Sequence, residues 1–433
     1  MILSGSSYSY PGVSRMPPQG SGVATVGRGP IDVNIINGLR DSSGRQAVNS
    51  AFGELEVGTR TSDISLLFIY GISTGSKGDL IVSGTNGGWV IQSSGNLLTV
   101  TSSANINGFA SARSIKNVTY RPGHEVYAYF TAQFHSGAHA DNVQRVGLFD
   151  DLDGYYIGLS GSRFFTAVRN TGSDIIHFSE SFTYDKLDGT GQSFDSFTLN
   201  PYKMNIYRVS TGWLGAAPPQ FSAMNERGTW NTFHTVQHAN LNEGTTTIDP
   251  HLPISAEIKK NGAGAANLQL KCASWAAGIV DGADAMKVSQ RNFAFVGSKS
   301  GITTETNIFT LKSKSTFFNK NNKISAQILF LGAANGQGQA LSTLYIRKNV
   351  TLGGSPSFID IETTNSIMEV DVAGTTITGG NLELALPLGI DNNIYMDITN
   401  MDLRINPGET ITFSVASSLN VSSSISTRWT EYF

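Results

Sequence analysis

Short strand-like runs separated by turn residues follow one another from residue 51 onwards, and this pattern limits the fold more than any other feature. In the run Glu125–Phe134, small and apolar residues occupy every second position: Val126, Ala128, Phe130 and Ala132 alternate with Tyr127, Tyr129, Thr131 and Gln133. A period of two is typical of β-strands, whose side chains point alternately to opposite faces. The turn sequences DDLDG and LSGSR separate three further runs between Gln144 and Asn170. Together with the lack of a clear helical period, this predicts an all-β fold built on a jelly-roll-like antiparallel β-sandwich.

The length of 433 residues exceeds one ordinary domain, and the pattern divides the chain. Residues 51–302 form the predicted large β-sandwich domain, in which the apolar run Ile64–Ile72 is expected to be a buried central strand. A polar link, Gly297–Asn307, leads into residues 303–433. About seven strand-like runs there predict a second, smaller β-sandwich domain.

Residues 1–50 differ from the rest because Gly, Ser, Pro and Tyr dominate and no period persists. This composition predicts an extended N-terminal arm without a core of its own. The arm either is disordered or lies along another subunit and serves in docking or assembly. In the second case, its anchors would be the larger side chains Tyr8, Tyr10, Val13 and Met16.

Composition excludes several classes of protein. Only 15% of the residues are charged and the formal net charge is −3, which does not favour nucleic acid as a partner. The N-terminus lacks the pattern of a signal peptide, and no apolar run approaches the roughly 20 residues that span a bilayer. We therefore expect a soluble protein, made in the cytoplasm, without membrane insertion. The single cysteine, Cys272, excludes an internal disulfide, and its alternating surroundings predict a buried strand residue.

Two polar motifs have the composition of metal sites. Asp150–Gly154 carries three carboxylates, but the ligand spacing of a calcium loop is absent and Asp and Gly are common in hairpin turns. His234 and His238 are four residues apart without the glutamate of a zinc-protease motif. On a strand, residues at that spacing lie about 13 Å apart, too far to share one ion. The sequence therefore predicts turns and strand residues here, and no metal.

Catalytic motifs are also lacking. The remaining candidate clusters are a Gly-containing loop with His135 and His139, and an acidic group that turn chemistry explains: Asp185, Asp188 and Asp195. The sequence contains no nucleophile elbow, phosphate-binding loop or dinucleotide fingerprint in context. We predict no catalytic residue and no cofactor, and hence no enzyme.

Aromatic residues near turns offer a different kind of site. Exposed flat rings give a large contact area for a sugar or a protein partner at low entropic cost. The candidates are Tyr155, Tyr156, Trp213 and Trp230. The alternative is that these rings are partly buried residues of the sheets.

An ordered series of motifs in the stretch Gln144–Ile279 resembles a family of structural proteins of tailed bacteriophages and some large DNA viruses. The series consists of RVGLFDDLDGYYIGL, Asp185–Gly191, Trp213–Gly215, His238–Asn240 and Leu252–Ile254. The upstream segments Ala51–Ser73 and Val118–Phe134, and the runs FIDIETTNSIMEVD, INPGETITFSVAS and TRWTEYF near the C-terminus, also resemble this family. The similarity covers roughly residues 50–433.

The resemblance implies a virion component built from β-sandwiches, without catalytic residues. It leads us to expect a fibre, tail or baseplate-associated subunit located in the virion, with other virion proteins bound through the arm. A homo-oligomer is expected, and a trimer is common for viral fibres. The alternatives are a capsid-surface decoration or head-fibre protein, a receptor- or glycan-binding adhesin that contacts the host surface, and a hydrolase of host polysaccharide.

Overall fold

A computed structural model describes residues 59–75, 78–136, 140–191, 197–261, 267–281, 290–336, 341–389 and 393–433. Within these ranges the chain consists mainly of antiparallel β-strands, and its helical turns are short 3-10 segments at Ser179–Ser181, Trp213–Gly215 and Thr399–Met401. The predicted all-β fold with antiparallel sandwiches is confirmed. The predicted arm, with Tyr8, Tyr10, Val13 and Met16, lies outside the described residues.

The strands of the first sandwich begin and end as follows: β1 (Thr59–Leu67), β2 (Leu80–Thr85), β3 (Val90–Ser94), β4 (Leu97–Thr101), β5 (Phe109–Ser114), β6 (Glu125–Ala132), β7 (Asn142–Phe149), β8 (Gly154–Ser160), β9 (Arg163–Asn170), β10 (Ser173–Phe178), β11 (Asn205–Gly212), β12 (Ala217–Met224), β13 (Trp230–Thr235), β14 (Ile254–Lys260), β15 (Gln269–Cys272) and β16 (Ser274–Asp281). One sheet has the order β1-β16-β6-β11-β12-β13, and the other has the order β10-β9-β8-β7-β14-β5-β2. A smaller sheet, β15-β4-β3, accompanies them.

The first core forms between these sheets because each strand turns every second side chain inward. On β6 the inward side chains are Val126, Ala128, Phe130 and Ala132, as the alternation predicts. Cys272 belongs to the same core and is fully buried, which confirms the prediction for this residue. The sheets are therefore held together by apolar packing, and the side chains between these inward positions form the two outer faces.

The strands of the second sandwich are β17 (Gln290–Ile302), β18 (Thr306–Ser313), β19 (Thr316–Phe317), β20 (Lys320–Asn321), β21 (Ala326–Asn335), β22 (Ser342–Lys348), β23 (Thr351–Leu352), β24 (Ile359–Asp360), β25 (Met368–Asp371), β26 (Ile377–Thr378), β27 (Asn381–Leu388), β28 (Asn393–Asp397), β29 (Arg404–Ile405), β30 (Thr410–Ser417) and β31 (Val421–Tyr432). The two main sheets have the orders β17-β31-β21-β28, with β29 beside β21, and β24-β25-β18-β30-β22-β27. Their shared core is separate from the first and includes Phe309, Phe413 and Trp429.

The strand pairing also bears on where the chain passes from one sandwich to the next. Strand β17 pairs with β31 along most of its length, from Gln290 opposite Tyr432 to Ile302 opposite Val421. Residues 290–302 therefore lie in a sheet of the second sandwich. The division of the chain at residues 302 and 303 stays a prediction.

The run Ile64–Ile72 differs from its prediction. Strand β1 ends at Leu67 and lies at the edge of its sheet, with β16 as its neighbour. Phe68 is buried, whereas Ile69 and Tyr70 are exposed beyond the end of the strand. The prediction of a buried central strand is therefore wrong, because only alternate apolar residues of this run have the second sheet to pack against.

Candidate functional site

The outer face of the sheet containing β7 to β10 carries a closed network of charged side chains. Arg145 on β7 lies opposite Glu257 on β14, and the two form an ion pair in which Glu257 is buried. Arg169 donates to Asp174 on the neighbouring strand, with an Nε–Oδ1 distance of 2.7 Å. Burial acts to raise the pKa of Asp174, but hydrogen bonds from Arg169 and Tyr156 and the nearby arginine charges hold it below its usual value. These arginines therefore already have carboxylate partners within the protein.

The carboxylates of the acidic turn after β7 are likewise engaged in hydrogen bonds and an ion pair within the protein. Asp150 Oδ1 accepts hydrogen bonds from the backbone N–H groups of Leu152 and Asp153, each at 2.8 Å. Asp153 accepts from the backbone of Ile248 at 3.1 Å, and Asp150 forms an ion pair with Lys323 of the second sandwich. The predicted hairpin turn is what the structure shows, and its carboxylates anchor neighbouring segments.

On the outer face of the other main sheet, aromatic rings and guanidinium groups also lie side by side, as Arg145 and Arg169 do with Tyr156 on the first face. Tyr127 and Tyr129 lie on β6 with their ring centroids 5.4 Å apart. The guanidinium carbon of Arg60 lies 5.2 Å from the centroid of Tyr129. Ser62 forms a hydrogen bond of 2.8 Å with the Tyr127 hydroxyl, whose pKa is raised by burial. We call the strip of Arg60, Tyr129, Arg208 and Trp230, together with the buried Tyr127 beside it, the aromatic face.

Trp230 extends this strip across the sheet. It lies on β13, three strand spacings or roughly 14 Å from β6. Its ring centroid is nevertheless only 5.4 Å from that of Tyr129, so the side chain reaches across β12 and β11. The guanidinium carbon of Arg208, on β11, lies 5.3 Å from the Trp230 ring. The ring thus covers Arg208 and forms a half-buried surface with Tyr129.

The aromatic residues predicted as an exposed platform divide into two groups. Tyr155 and Tyr156 are each only 1% exposed, so their prediction as an exposed platform is wrong. Tyr155 points into the first core and bonds to Thr246, whereas Tyr156 packs against Phe149 on the opposite side of the sheet. Strand β8 is covered on both faces, and a flat ring there offers no surface to a ligand.

The Trp213 and Trp230 side chains are both at least partly exposed, but they lie in different parts of the first sandwich. Trp213 is 50% exposed and lies in the short helical turn after β11, where Trp213, Leu214 and Gly215 all have positive φ angles. Trp230 is half-buried and lies within the aromatic face. The four predicted rings are therefore not brought together: Trp230 lies beside Arg208, and the buried Tyr156 lies beside Arg145 and Arg169 on the other sheet.

His234 and His238, the two histidines predicted not to bind a metal, lie in different environments and have different partners. His234 is buried at the end of β13 and packs against His177 at a centroid distance of 4.8 Å, with the two rings tilted by 48°. His238 lies beyond the strand and its Nε2 is 2.6 Å from the Gly244 carbonyl oxygen. His135 lies in a loop of the described chain, whereas His139 and Asp195 are outside the described residues.

Asp185 and Asp188, the described members of the predicted acidic group, accept backbone hydrogen bonds within their own turn. Their partners are the N–H groups of Leu187 and Thr190, at 2.7 and 2.9 Å. Among the described residues, no group of three or more His, Cys, Asp or Glu side chains is arranged to hold a metal ion. In the same part of the chain, the helical segments are too short or too polar to cross a membrane.

No protein-family model matches the chain, and no curated protein matches it. Among solved structures, the chain is similar to a protein of unknown function from Shewanella oneidensis MR-1, with 14% identity over 53% of this chain and 93% of that one and a TM-score of 0.35. It is also similar to a family 16 glycosyl hydrolase from Mycobacterium smegmatis (10%, covering 50% and 100%, TM-score 0.34) and to a legume lectin-like domain from Entamoeba histolytica (9%, covering 49% and 98%, TM-score 0.30). With TM-scores below 0.5, these similarities carry no argument about function.

Sequence reasoning identified one residue of the aromatic face as a site candidate and missed its neighbours. The alternation of β6 does place Tyr127 and Tyr129 on the face opposite the core. Arg60 and Arg208 lie in runs without any binding motif, and nothing in the sequence links them to Trp230. The order of the strands brings these side chains together.

Proposed function

We propose that the chain is a structural subunit of a virus particle: a fibre, tail or baseplate-associated protein of a bacteriophage. The observation that supports this best is how the polar residues of the resembling motifs are used. Arg145, Asp150, Asp153 and Asp185 all bond to other parts of the first sandwich or its turns. A motif set that stabilises a rigid sandwich fits a structural protein better than an enzyme.

In this proposal the two sandwiches form the body of the subunit and the N-terminal arm attaches it to other virion proteins. Deletion of residues 1–30 should abolish incorporation into particles and leave both sandwiches folded. A control variant in which residues 1–30 are replaced by a Gly-Ser sequence of equal length separates the role of the side chains from that of the length. Particles are purified and their subunit content is measured by mass spectrometry. Normal incorporation of the Gly-Ser variant would refute docking through this sequence.

The place of the subunit in the particle is a separate part of the proposal. We favour a tail or fibre position, and the alternative is decoration of the capsid surface or a head fibre. Electron microscopy of particles with a label fused to the C-terminus distinguishes these, since a label on the head shell would contradict the tail position. We also propose a homo-oligomer, with a trimer as the expected state, which light scattering of the purified protein measures directly.

A second candidate function, which is compatible with the first, is attachment to a surface glycan. The aromatic face favours it, because Trp230 and Tyr129 place two rings side by side on a sheet surface, with cations adjacent. Trp230→Ala should abolish binding on a glycan array. Trp213→Ala is the matched control, because Trp213 is an exposed tryptophan outside the aromatic face and its loss should leave binding unchanged. Absence of binding by the wild-type protein would remove this candidate and leave the structural role.

A further inference from the structure

We infer that the aromatic face binds a saccharide that carries carboxylate groups, and this inference rests on the glycan-binding function proposed above. Two features of the face point to an acidic ligand and not to a neutral one. The first is a buried guanidinium that has no carboxylate partner within the described part of the chain, and the second is the ring surface that lies over it.

Arg208 is the buried guanidinium. Its side chain lies on β11 between Tyr129 and Ser222 of the neighbouring strands, and the residue is only 4% exposed. One Nη atom donates to Ser222 Oγ at 3.3 Å, and the buried Nε finds no hydrogen-bond partner among the residues that the structure describes. Among the described residues, no carboxylate forms an ion pair with Arg208. Because a buried charge without a counter-charge is costly, an arriving anion would gain most at this position.

On the opposite sheet of the same sandwich, largely buried guanidinium groups are paired with carboxylates. There Arg145 pairs with Glu257, and Arg169 forms two hydrogen bonds with Asp174, at 2.7 and 3.0 Å. Among the described residues, carboxylates therefore pair with guanidinium groups on one outer face, and none pairs with Arg208 on the other. This contrast in charge suggests that the partner of Arg208 comes from outside the sandwich.

The rings define what else the ligand contains. Trp230 and Tyr129 lie with centroids 5.4 Å apart and planes at 48°, which gives a shallow, angled surface that fits the apolar face of a sugar ring better than a flat aromatic stack. Ser222 and Thr232 form a hydroxyl pair at 3.0 Å beside Arg208. Ser222 is buried and Thr232 is half-buried, so the Thr232 hydroxyl is the one placed to exchange hydrogen bonds with a sugar.

The shape of the Arg208 guanidinium favours a carboxylate as the charged group of the ligand. A guanidinium is a planar group whose donors match a carboxylate in a two-pronged arrangement. Arg60, at the other end of the strip and 5.2 Å from the Tyr129 ring, adds positive charge along a chain of acidic sugars. Movement of the Trp230 side chain, which spans two strands on the surface, would open Arg208 to such a ligand.

The test uses the full-length protein and three polymers: polygalacturonate, the same polymer after its carboxyl groups are reduced, and dextran sulfate. We expect binding to polygalacturonate that is at least tenfold tighter than to the reduced polymer, and that weakens as salt is raised. Arg208→Gln and Trp230→Ala should each weaken this binding at least tenfold. Trp213→Ala should change it by less than twofold.

Stability measurements separate a binding role of Arg208 from a structural one. If Arg208 serves ligand binding and not folding, Arg208→Gln removes a buried charge without a carboxylate partner among the described residues, and the melting temperature of the protein stays the same or rises. A lower melting temperature together with unchanged affinity would show that the guanidinium is structural and would overturn the inference. Arg208→Lys keeps the charge without the planar donors, and should bind polygalacturonate with intermediate affinity.

The experiment distinguishes a failure of the acidic specificity from a failure of glycan binding itself. Equal binding to the native and reduced polymers would overturn the acidic specificity and leave glycan binding intact. Binding to dextran sulfate alone would show that charge, and not the carboxylate, is recognised, which also overturns the inference. If none of these polymers and no glycan on an array is bound, glycan binding and this inference fail together, while the structural role is unaffected.

Discussion

Acidification should destabilise the first sandwich through His234. The ring is 3% exposed, stacks against Phe182 at a centroid distance of 5.1 Å and lies tilted beside His177 at 4.8 Å. Its Nδ1 accepts the backbone N–H of Thr183 at 3.2 Å, so the neutral ring carries its proton on Nε2, which has no hydrogen-bond partner in the described ranges. Burial, and then the charge of His177, lower the pKa of His234 to about 4.

The direction and the size of the pH effect on the free energy of unfolding follow from the lowered pKa of His234. The unfolded chain has an ordinary histidine pKa near 6.5, so on acidification it takes up the proton before the folded chain does. The stabilisation from a neutral His234 is therefore complete above pH 6.5 and is lost as the pH falls towards 4. Between pH 7.5 and pH 5.0 the free energy of unfolding should decrease by about 1–2 kcal/mol on this account, with solvent screening allowed for.

Urea unfolding followed by tryptophan fluorescence at pH 7.5 and pH 5.0 measures this loss. Other groups titrate as well, so the relevant quantity is the difference between the wild type and His234→Gln, which keeps an acceptor for Thr183 but does not titrate. The wild type should lose about 1–2 kcal/mol more than the variant. His238→Gln, four residues further along, is the control and should behave like the wild type. Equal losses in the wild type and His234→Gln would refute the reasoning.

Two further substitutions, the first with a matched control, test the turn after β11 and the Arg145–Glu257 ion pair of the first sandwich. Gly215→Ala places a methyl group against Thr246 at a residue with φ of +73°, whereas Gly228→Ala has a similar φ of +75° and open space around it. Urea unfolding should show a cost of about 1 kcal/mol for Gly228→Ala and at least about 3 kcal/mol for Gly215→Ala, and equal costs would contradict the packing argument. Glu257→Gln leaves the buried side of Arg145 without its carboxylate and should cost about 2–3 kcal/mol in the same measurement; a neutral effect would show that Asp174 suffices as the partner.

Local patterns of the sequence predicted those features that depend on near neighbours along the chain. The alternation on β6 gave the correct inward set, because side chains of a strand alternate whatever lies beyond it. Asp150–Gly154 was correctly assigned as a turn, because an aspartate bonds to the backbone two and three residues further on. Both predictions depend on interactions within a few residues.

Features that depend on distant segments were not predictable in this way. The run Ile64–Ile72 has the composition of a central strand, yet the strand ends at Leu67, and Ile69 and Tyr70 beyond it are exposed. Tyr155 and Tyr156 follow a turn and have the composition of a surface pair, yet both faces of their strand are covered. In each case burial is decided by segments far away in the sequence, and a hydrophobic pattern contains no information about them.

The aromatic face shows the same limit most clearly. Tyr129, Arg208 and Trp230 lie on β6, β11 and β13, and their contacts exist only because those strands are held in the order β6-β11-β12-β13. Each pairing step is antiparallel, and the register places Tyr129 opposite Arg208 and Arg208 opposite Ser222. A shift of one residue in either pairing would turn Arg208 towards the core and separate the rings from the charge. The chemistry of this face is therefore a property of the sheet register, which explains why no motif in the sequence marks it.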